Sequence, residues 1–331
     1  CVTSPPYWGL RGYLPAESPL AALEIGQEST IAEYVARMVD VFRQVRRVLR
    51  PDGTFWLNVG DVFNSYNGGA GPATKIGRVR SDSRPVLPSG FGLRAKELKP
   101  KDLCLVPWRL LLALQDDGWF VRSTLVWAKT APMPESVADR PTSAWEPIFL
   151  LAKGRRYFFD GSDPAAQPLG AAALTGQKKR AALQPLEGST LGSNQGADTR
   201  NMRNVWTIGP GSYSGAHSAT FPVEIPRRAV AAGTSPGCCS ACGAFQADGW
   251  GCDCAAASAR CRVLDPFGGS GTTAGACELL GRDCTLVELN PDSVLEVDRR
   301  VAEIVAEGWG RRVGRSIEES GPSLFDSTPV Q

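Results

Sequence analysis

The stretch Asp265-Pro266-Phe267-Gly268-Gly269-Ser270-Gly271-Thr272-Thr273 constrains this chain more than any other. It follows a short apolar run, Arg262-Val263-Leu264, and opens a helical pattern from Thr272 to Leu280. A glycine-rich turn between strand and helix lets backbone approach a ligand closely, and the helix start offers it free N–H groups. A further strand is predicted at Cys284 to Val287, with Glu288 at its end. A carboxylate there suits paired hydrogen bonds to ribose hydroxyls.

The residues narrow the ligand. A phosphate-gripping loop needs Gly-Lys-Ser/Thr, and no lysine follows Gly271. A nicotinamide dinucleotide stays open on the glycines alone, although the spacing is not Gly-x-Gly-x-x-Gly. A nucleoside with a charged amino-acid tail fits better, because Asp265 is placed to meet an ammonium. A bare turn with no ligand is the plain alternative.

The remaining chain alternates helices and strands. Residues 29–49 form an amphipathic helix, with Ile31, Tyr34, Val35, Met38, Phe42, Val45 and Leu49 on one face and Ser29 or Thr30 capping it near Glu33. A buried strand follows at Thr54 to Val59. A helix at Val106 to Asp117, strands at Phe120 to Ala128 and Pro147 to Ala152, and helices at Pro222 to Ala232 and Asp292 to Ala306 complete the pattern. This predicts an α/β fold with a doubly wound, mostly parallel sheet. No apolar run approaches the roughly 18 residues of a membrane span. With no secretory leader before the first motif, a cytoplasmic protein with reduced cysteines and no membrane partner is expected. The chain opens Cys1-Val2-Thr3, and two apolar residues are too few for a buried strand. Most of an N-terminal strand is therefore expected upstream, making this a truncated chain.

Thr3-Ser4-Pro5-Pro6-Tyr7-Trp8 carries the second signal. Proline has a carbonyl but no N–H and a fixed φ, so the Ser4 hydroxyl and Pro5 carbonyl can present converging acceptors on a rigid turn. The exocyclic amine of a nucleobase is a poor nucleophile because its lone pair is delocalised into the ring. Hydrogen bonds from both its N–H groups to such acceptors favour a pyramidal nitrogen that can attack. Tyr7 and Trp8 supply aromatic faces for a base turned out of a duplex.

With these two motifs the chain resembles the amino-group DNA methyltransferases, in the circularly permuted subgroup whose catalytic motif precedes the cofactor motif. Further matching pieces are Arg203-Asn204-Val205-Trp206, residues 217–222, Trp127-Ala128-Lys129 and Glu146-Pro147-Ile148-Phe149-Leu150-Leu151. The resemblance implies S-adenosylmethionine as cofactor and double-stranded DNA as substrate, with a cognate restriction endonuclease as the companion activity. It makes Ser4, Pro5, Pro6 and Tyr7 the catalytic turn. Asp265, Phe267, Gly268, Gly269, Gly271 and Thr272 would line the cofactor, with Glu288 on its ribose and His217, Ala219 and Phe221 on the opposite wall. No Pro-Cys-Gln-type nucleophile is present, which disfavours transfer to carbon-5 of cytosine. Ser at the first motif position is similar to the cytosine-N4 enzymes, with adenine N6 as the alternative. An RNA- or protein-directed amine methyltransferase, or an inactive DNA-binding relative, are the further alternatives.

The implied organisation is a catalytic half at 1–160, a variable target-recognition-like segment at 161–204, a cofactor-binding half at 205–310 and a disordered tail at 311–331. The net charge is only +2, but residues 64–101 hold eight Lys or Arg against two acids. Arg78, Arg80, Arg84, Arg94, Lys96, Lys99 and Lys101 are candidates for phosphate contact. Within the cofactor half, residues 236–261 form a cysteine-rich insert. Cys239 and Cys242, then Cys252 and Cys254, have the paired spacing of a four-coordinate structural zinc in a ribbon-like insert. Cys238 and Cys261 leave open which four would bind.

Overall fold

Apolar residues at three- and four-residue steps make Ile31–Val48 the first helix, α1, and bury Ile31, Tyr34, Met38, Phe42 and Val45 along one stripe. Thr30 caps it: its side chain accepts from the Glu33 N–H at 3.2 Å, while Glu33 accepts from the Thr30 N–H at 3.1 Å. The turn at 51–53 stops the helix and leads into β2 (Thr54–Asn58), every residue of which is buried. The computed structural model describes residues 1–10, 12–14, 17–64, 95–162, 202–209, 221–247 and 249–307.

Five strands form the main sheet. These are β1 (Val2–Thr3), β2, β3 (Phe120–Lys129), β4 (Trp145–Ala152) and β5 (Val205–Ile208), in the order β1-β2-β4-β3-β5. β1 runs parallel to β2 and β5 parallel to β3, but β4 is antiparallel to both its neighbours. The sheet is therefore mixed. Among residues 130–144 no helix crosses back over the sheet, and a strand returning without a crossover must pair antiparallel.

Side chains alternate across the sheet. Phe55, Leu57, Phe149 and Leu151 face α1 and α2 (Val106–Asp116), whereas Trp56, Ile148 and Leu150 face the opposite side. That second core is closed by α3 (Glu224–Gly233) through Ile225, Ala229 and Val230, and Trp56 stacks on Trp206 at 5.9 Å. Helices on both faces are what the doubly wound reading requires. Losing a buried ring such as Phe42 would cost about 3–5 kcal/mol.

After a small three-stranded sheet of β6 (Gly237–Cys239), β7 (Phe245–Gln246) and β8 (Ser258–Ala259), the chain enters β9 (Arg262–Asp265). β9 pairs in parallel with β10 (Asp283–Leu286) and packs beside β1. Between them α4 (Thr272–Leu279) packs on α5 (Pro291–Ala306) and on α3. Proline in the first turn and the Asn290 side chain, which accepts from the Asp292 N–H at 3.0 Å, start α5.

Two further expectations change. Val2 and Thr3, judged too short for a buried strand, are buried and register with Trp56 and Leu57. They hold because the flanking backbone pairs as well: the Cys1 carbonyl accepts from the Trp56 N–H at 2.8 Å. β5 and the three short strands of the cysteine-rich insert were not anticipated, since runs of two to four residues show no readable period. Among the described residues no helix is long and apolar enough to cross a membrane.

Candidate active site

The proline turn sits where β1 leaves the sheet. Pro5 is buried, and the Tyr34 hydroxyl donates to the Pro6 carbonyl at 2.9 Å, fixing the turn to α1. Trp8 is a core residue with 1% exposure, its indole N–H donating to the Glu28 carbonyl at 2.9 Å. It cannot offer a face to a base, which corrects the expectation for Trp8 and leaves Tyr7. The Tyr7 ring lies against Gly60, where an added Cβ would sit 2.4 Å from its Cε2. Glycine is required there by contact alone.

Four polar side chains close around Tyr7. Its hydroxyl donates to Glu146 Oε2 at 2.7 Å and lies 3.3 Å from Asn58 Oδ1. The Ser4 hydroxyl donates to the same Asn58 oxygen at 3.3 Å, and the Asn58 amide donates to Glu146 Oε2 at 3.3 Å and to the Pro147 carbonyl at 3.1 Å. Lys129 completes the network with a 2.6 Å ion pair to Glu146 Oε1. Burial, and next the Glu146 carboxylate, push the Tyr7 phenol well above its ordinary value near 10. Tyr7 is therefore a neutral donor at working pH. The Pro6 carbonyl is already occupied by the Tyr34 hydroxyl.

The glycine turn is adjacent. Ser4, Pro6, Phe221, Phe267, Gly268, Gly269, Thr272 and Glu288 all line one cleft of about 310 Å³. The Gly268 N–H donates to the Val287 carbonyl at 2.8 Å, and a Cβ on Gly268 would sit 2.8 Å from the Leu286 Cβ, so the turn presses onto β10. Gly269, at φ +51°, faces open space. Glu288 accepts the Gly269 N–H at 2.7 Å and the Asn290 N–H at 2.8 Å, one on each oxygen. Each carboxylate oxygen keeps a lone pair for a ligand hydroxyl.

Two predicted lining residues stand elsewhere. Asp265 is 1% exposed and lies beneath the cleft. Its carboxylate accepts from the Thr3 hydroxyl at 2.5 Å, the Thr273 hydroxyl at 2.6 Å and the Phe267 N–H at 3.0 Å, tying β1, β9 and α4 together. Burial raises its pKa against the pull of those hydrogen bonds. Gly271, at φ +89°, faces α5, where a Cβ would meet Val297 at 2.9 Å. His217 and Ala219 lie outside the described residues, as do Arg78, Arg80, Arg84 and Arg94. Of the other basic candidates, Lys99 pairs with Asp102 and Lys101 with Asp139. The sulfur atoms of Cys239, Cys242, Cys252 and Cys254 converge, all within 4.8 Å of one another.

Asn58, Gly60, Lys129 and Glu146 were not singled out as site residues from sequence. Lys129 and Glu146 stood in motif fragments without a role. The available signal was a charged or amide side chain at the end of an otherwise apolar strand.

The chain matches the family model described as DNA methylase over residues 1–297. It is 39% identical over 300 residues to the Type II methyltransferase M.XycI of Xanthomonas campestris pv. cyanopsidis, covering 90% of this chain and 79% of that protein. Over 297 residues it is 39% identical to the Type II methyltransferase M.SmaI of Serratia marcescens, covering 88% and 80%. Among solved structures it shares the fold of the PvuII DNA methyltransferase, described as cytosine-N4-specific, at TM-score 0.50 and 17% identity over 92% of this chain and 84% of that one.

Proposed function

The chain belongs to the DNA methylase family that its sequence matches, and from that premise we propose that it methylates the exocyclic N4 amine of cytosine in a base turned out of duplex DNA. One observation carries the reading: Ser4 and Pro6 of the proline turn line the same cleft as Gly268 and Gly269. The residues suit S-adenosylmethionine, which when bound supplies a methyl group activated by a sulfonium. Val287, Leu289 and Phe221 give an apolar wall, and Glu288 offers free lone pairs to ribose hydroxyls. Phe267, Gly268 and Gly269 leave room on the methionine side.

The chain's own residues then act on the base. The Tyr7 ring supports its face, held by Glu146 on one edge and by the absence of a side chain at Gly60 behind it. The Ser4 hydroxyl and Pro5 carbonyl accept the two amine N–H bonds and localise the nitrogen lone pair. A methylated amine still carrying both protons is cationic and acidic, so it loses a proton to water without a strong base. This fits a turn that offers neutral acceptors only.

The choice of cytosine rests on Ser4, a neutral acceptor held by Asn58. The early position of the catalytic turn is read as circular permutation, with residues 161–204 as the target-recognising segment. The Type II designation of the relatives supports a companion endonuclease in the cell. The test is transfer of labelled methyl from S-adenosylmethionine to unmethylated duplex DNA, RNA and protein in parallel. Label in DNA that disappears in Tyr7→Ala supports the reading, and label in RNA or protein alone refutes it.

A further inference from the structure

The cysteine-rich insert leaves the α/β frame after α3 and returns at β9, and no step at the cleft uses it. Part of it has a small core of its own, in which Phe158 packs on Phe245 at 4.7 Å and on Trp250 at 5.6 Å. The stretch from Gly251 to Ala255 has no such support. Every residue in it is exposed, it contains no helix or strand, and a Cβ on Gly251 would touch nothing within 4 Å. Apolar burial cannot hold that segment in place.

Its two cysteines nevertheless converge on a preformed turn. In Cys239-Ser240-Ala241-Cys242-Gly243 the Gly243 N–H donates to the Cys239 carbonyl at 2.7 Å, and the Cys239 N–H donates to the Ala244 carbonyl at 2.8 Å. Gly243 has φ +71°, the left-handed conformation that turns the chain back and aims Cys239 and Cys242 at one point. Cys252 and Cys254 reach the same point, and the four sulfurs lie within 4.8 Å of one another. A tetrahedral centre with Zn–S bonds of about 2.3 Å needs sulfurs about 3.8 Å apart, so a small inward movement closes it.

The geometry also separates the four from the other two. Cys238 is buried, with its sulfur 3.3 Å from the Arg260 carbonyl, and Cys261 is buried 3.6 Å from the Ser235 hydroxyl. Both belong to the small core beside Phe158 and Phe245.

We propose that Cys239, Cys242, Cys252 and Cys254 bind one structural zinc ion that braces the insert against the turn before β2. The brace runs through Arg50. Its guanidinium donates to the Cys242 carbonyl at 3.0 Å, grips Asp52 with two 2.8 Å bonds and covers the Phe245 ring at 5.3 Å. Asp52 in turn accepts the Phe158 N–H on its carbonyl at 2.9 Å. β2 runs from this turn to Asn58, so the metal would sit at the opposite end of the strand from the cleft, roughly 15 Å away along the chain. Four thiolates leave no open coordination position, so the ion does no chemistry on DNA. Each thiol loses its proton on binding, which makes retention of the metal weaken in acid.

The test uses the full chain purified with its thiols reduced and without chelator. Elemental analysis should give about one zinc per chain, and exchange for Co²⁺ should give the strong thiolate-to-cobalt absorption and visible bands of a four-sulfur tetrahedral site. Cys242→Ser and Cys254→Ser, both at exposed positions, should each lose the metal, whereas Cys284→Ser should keep it. Hydrogen exchange on the chelated chain should rise at residues 249–257 and around Arg50. Only trace metal in the reduced chain, a cobalt spectrum lacking sulfur ligation, or zinc retained in both serine variants would overturn the proposal. So would Cys239–Cys242 and Cys252–Cys254 disulfides in the chain as isolated.

Discussion

The phenolic oxygen of Tyr7 donates a 2.7 Å hydrogen bond to Glu146, 139 residues further along the chain, where the ends of β1 and β2 meet the start of β4. That bond fixes the orientation of the Tyr7 ring. Lys129 pairs with the other carboxylate oxygen, and the two side chains are only 25% and 16% exposed, so the charge on Glu146 is held and oriented within the sheet edge. Three strands therefore position one aromatic ring.

Glu146→Ala should lower methyl transfer roughly 10- to 100-fold, because a hydrogen bond to a charged group is worth about 1.5–3 kcal/mol. Affinity for S-adenosylmethionine should change little. Stability should also fall, since Lys129 is left partly buried without its partner, and adding Lys129→Met should recover part of that loss. Single-turnover rates and thermal unfolding check both parts. A Glu146→Ala chain with unchanged turnover would show that the contact is idle.

Gly60→Ala should fold but place a methyl group where the Tyr7 ring now lies, 2.4 Å from Cε2. The ring must move, and transfer should fall at least tenfold, or about 1.4 kcal/mol of barrier. Cofactor binding by calorimetry should stay close to that of the unaltered chain. An equal loss of both would mean that the substitution damages the whole cleft.

Tyr7→Phe should retain more activity than Tyr7→Ala, since it keeps the stacking face and loses only the donor. The two variants also separate a pH effect. The folded phenol titrates well above its ordinary value near 10, so the unfolded chain ionises first as pH rises. Its stabilising contribution is complete below about pH 10 and is lost above it. Thermal unfolding between pH 8 and about 11 should show a shallower alkaline decline in Tyr7→Phe. An identical decline in both chains would remove Tyr7 as its source.

Glu288 and Asp265 should separate cleanly. Glu288→Ala removes a carboxylate from the cleft wall and should weaken S-adenosylmethionine binding roughly tenfold or more. Asp265→Ala orphans Thr3 and Thr273 beneath the cleft and should act first on stability, by about 2–4 kcal/mol in urea unfolding. If Asp265→Ala unfolds like the unaltered chain yet binds cofactor poorly, the carboxylate contacts the ligand after all.

The Thr30–Glu33 cap, the stripe along α1 and the two turns that meet at the cleft could be read from residues because each depends on local spacing. Glu146 could not. It is the second residue of β4, and only the antiparallel direction of that strand brings its opening residues to the edge where β2 ends in Asn58, beside Ile148. A fully parallel sheet would have carried Glu146 to the far edge. Gly60 was hidden for a related reason, since its value lies in a ring from a distant turn. Asp265 shows the converse. Its position after a strand suggested a ligand contact, but β1 lies alongside and supplies Thr3 to its carboxylate, a partner that no spacing reveals.

The most direct measurement is nucleoside mass spectrometry of unmethylated DNA incubated with this chain and S-adenosylmethionine. The account predicts N4-methylcytosine, absent when Tyr7→Ala is used. N6-methyladenine would keep the amine chemistry and overturn the choice of base. A methyl group on carbon-5 of cytosine would contradict the account, because nothing in the Ser4–Tyr7 turn can add to the ring.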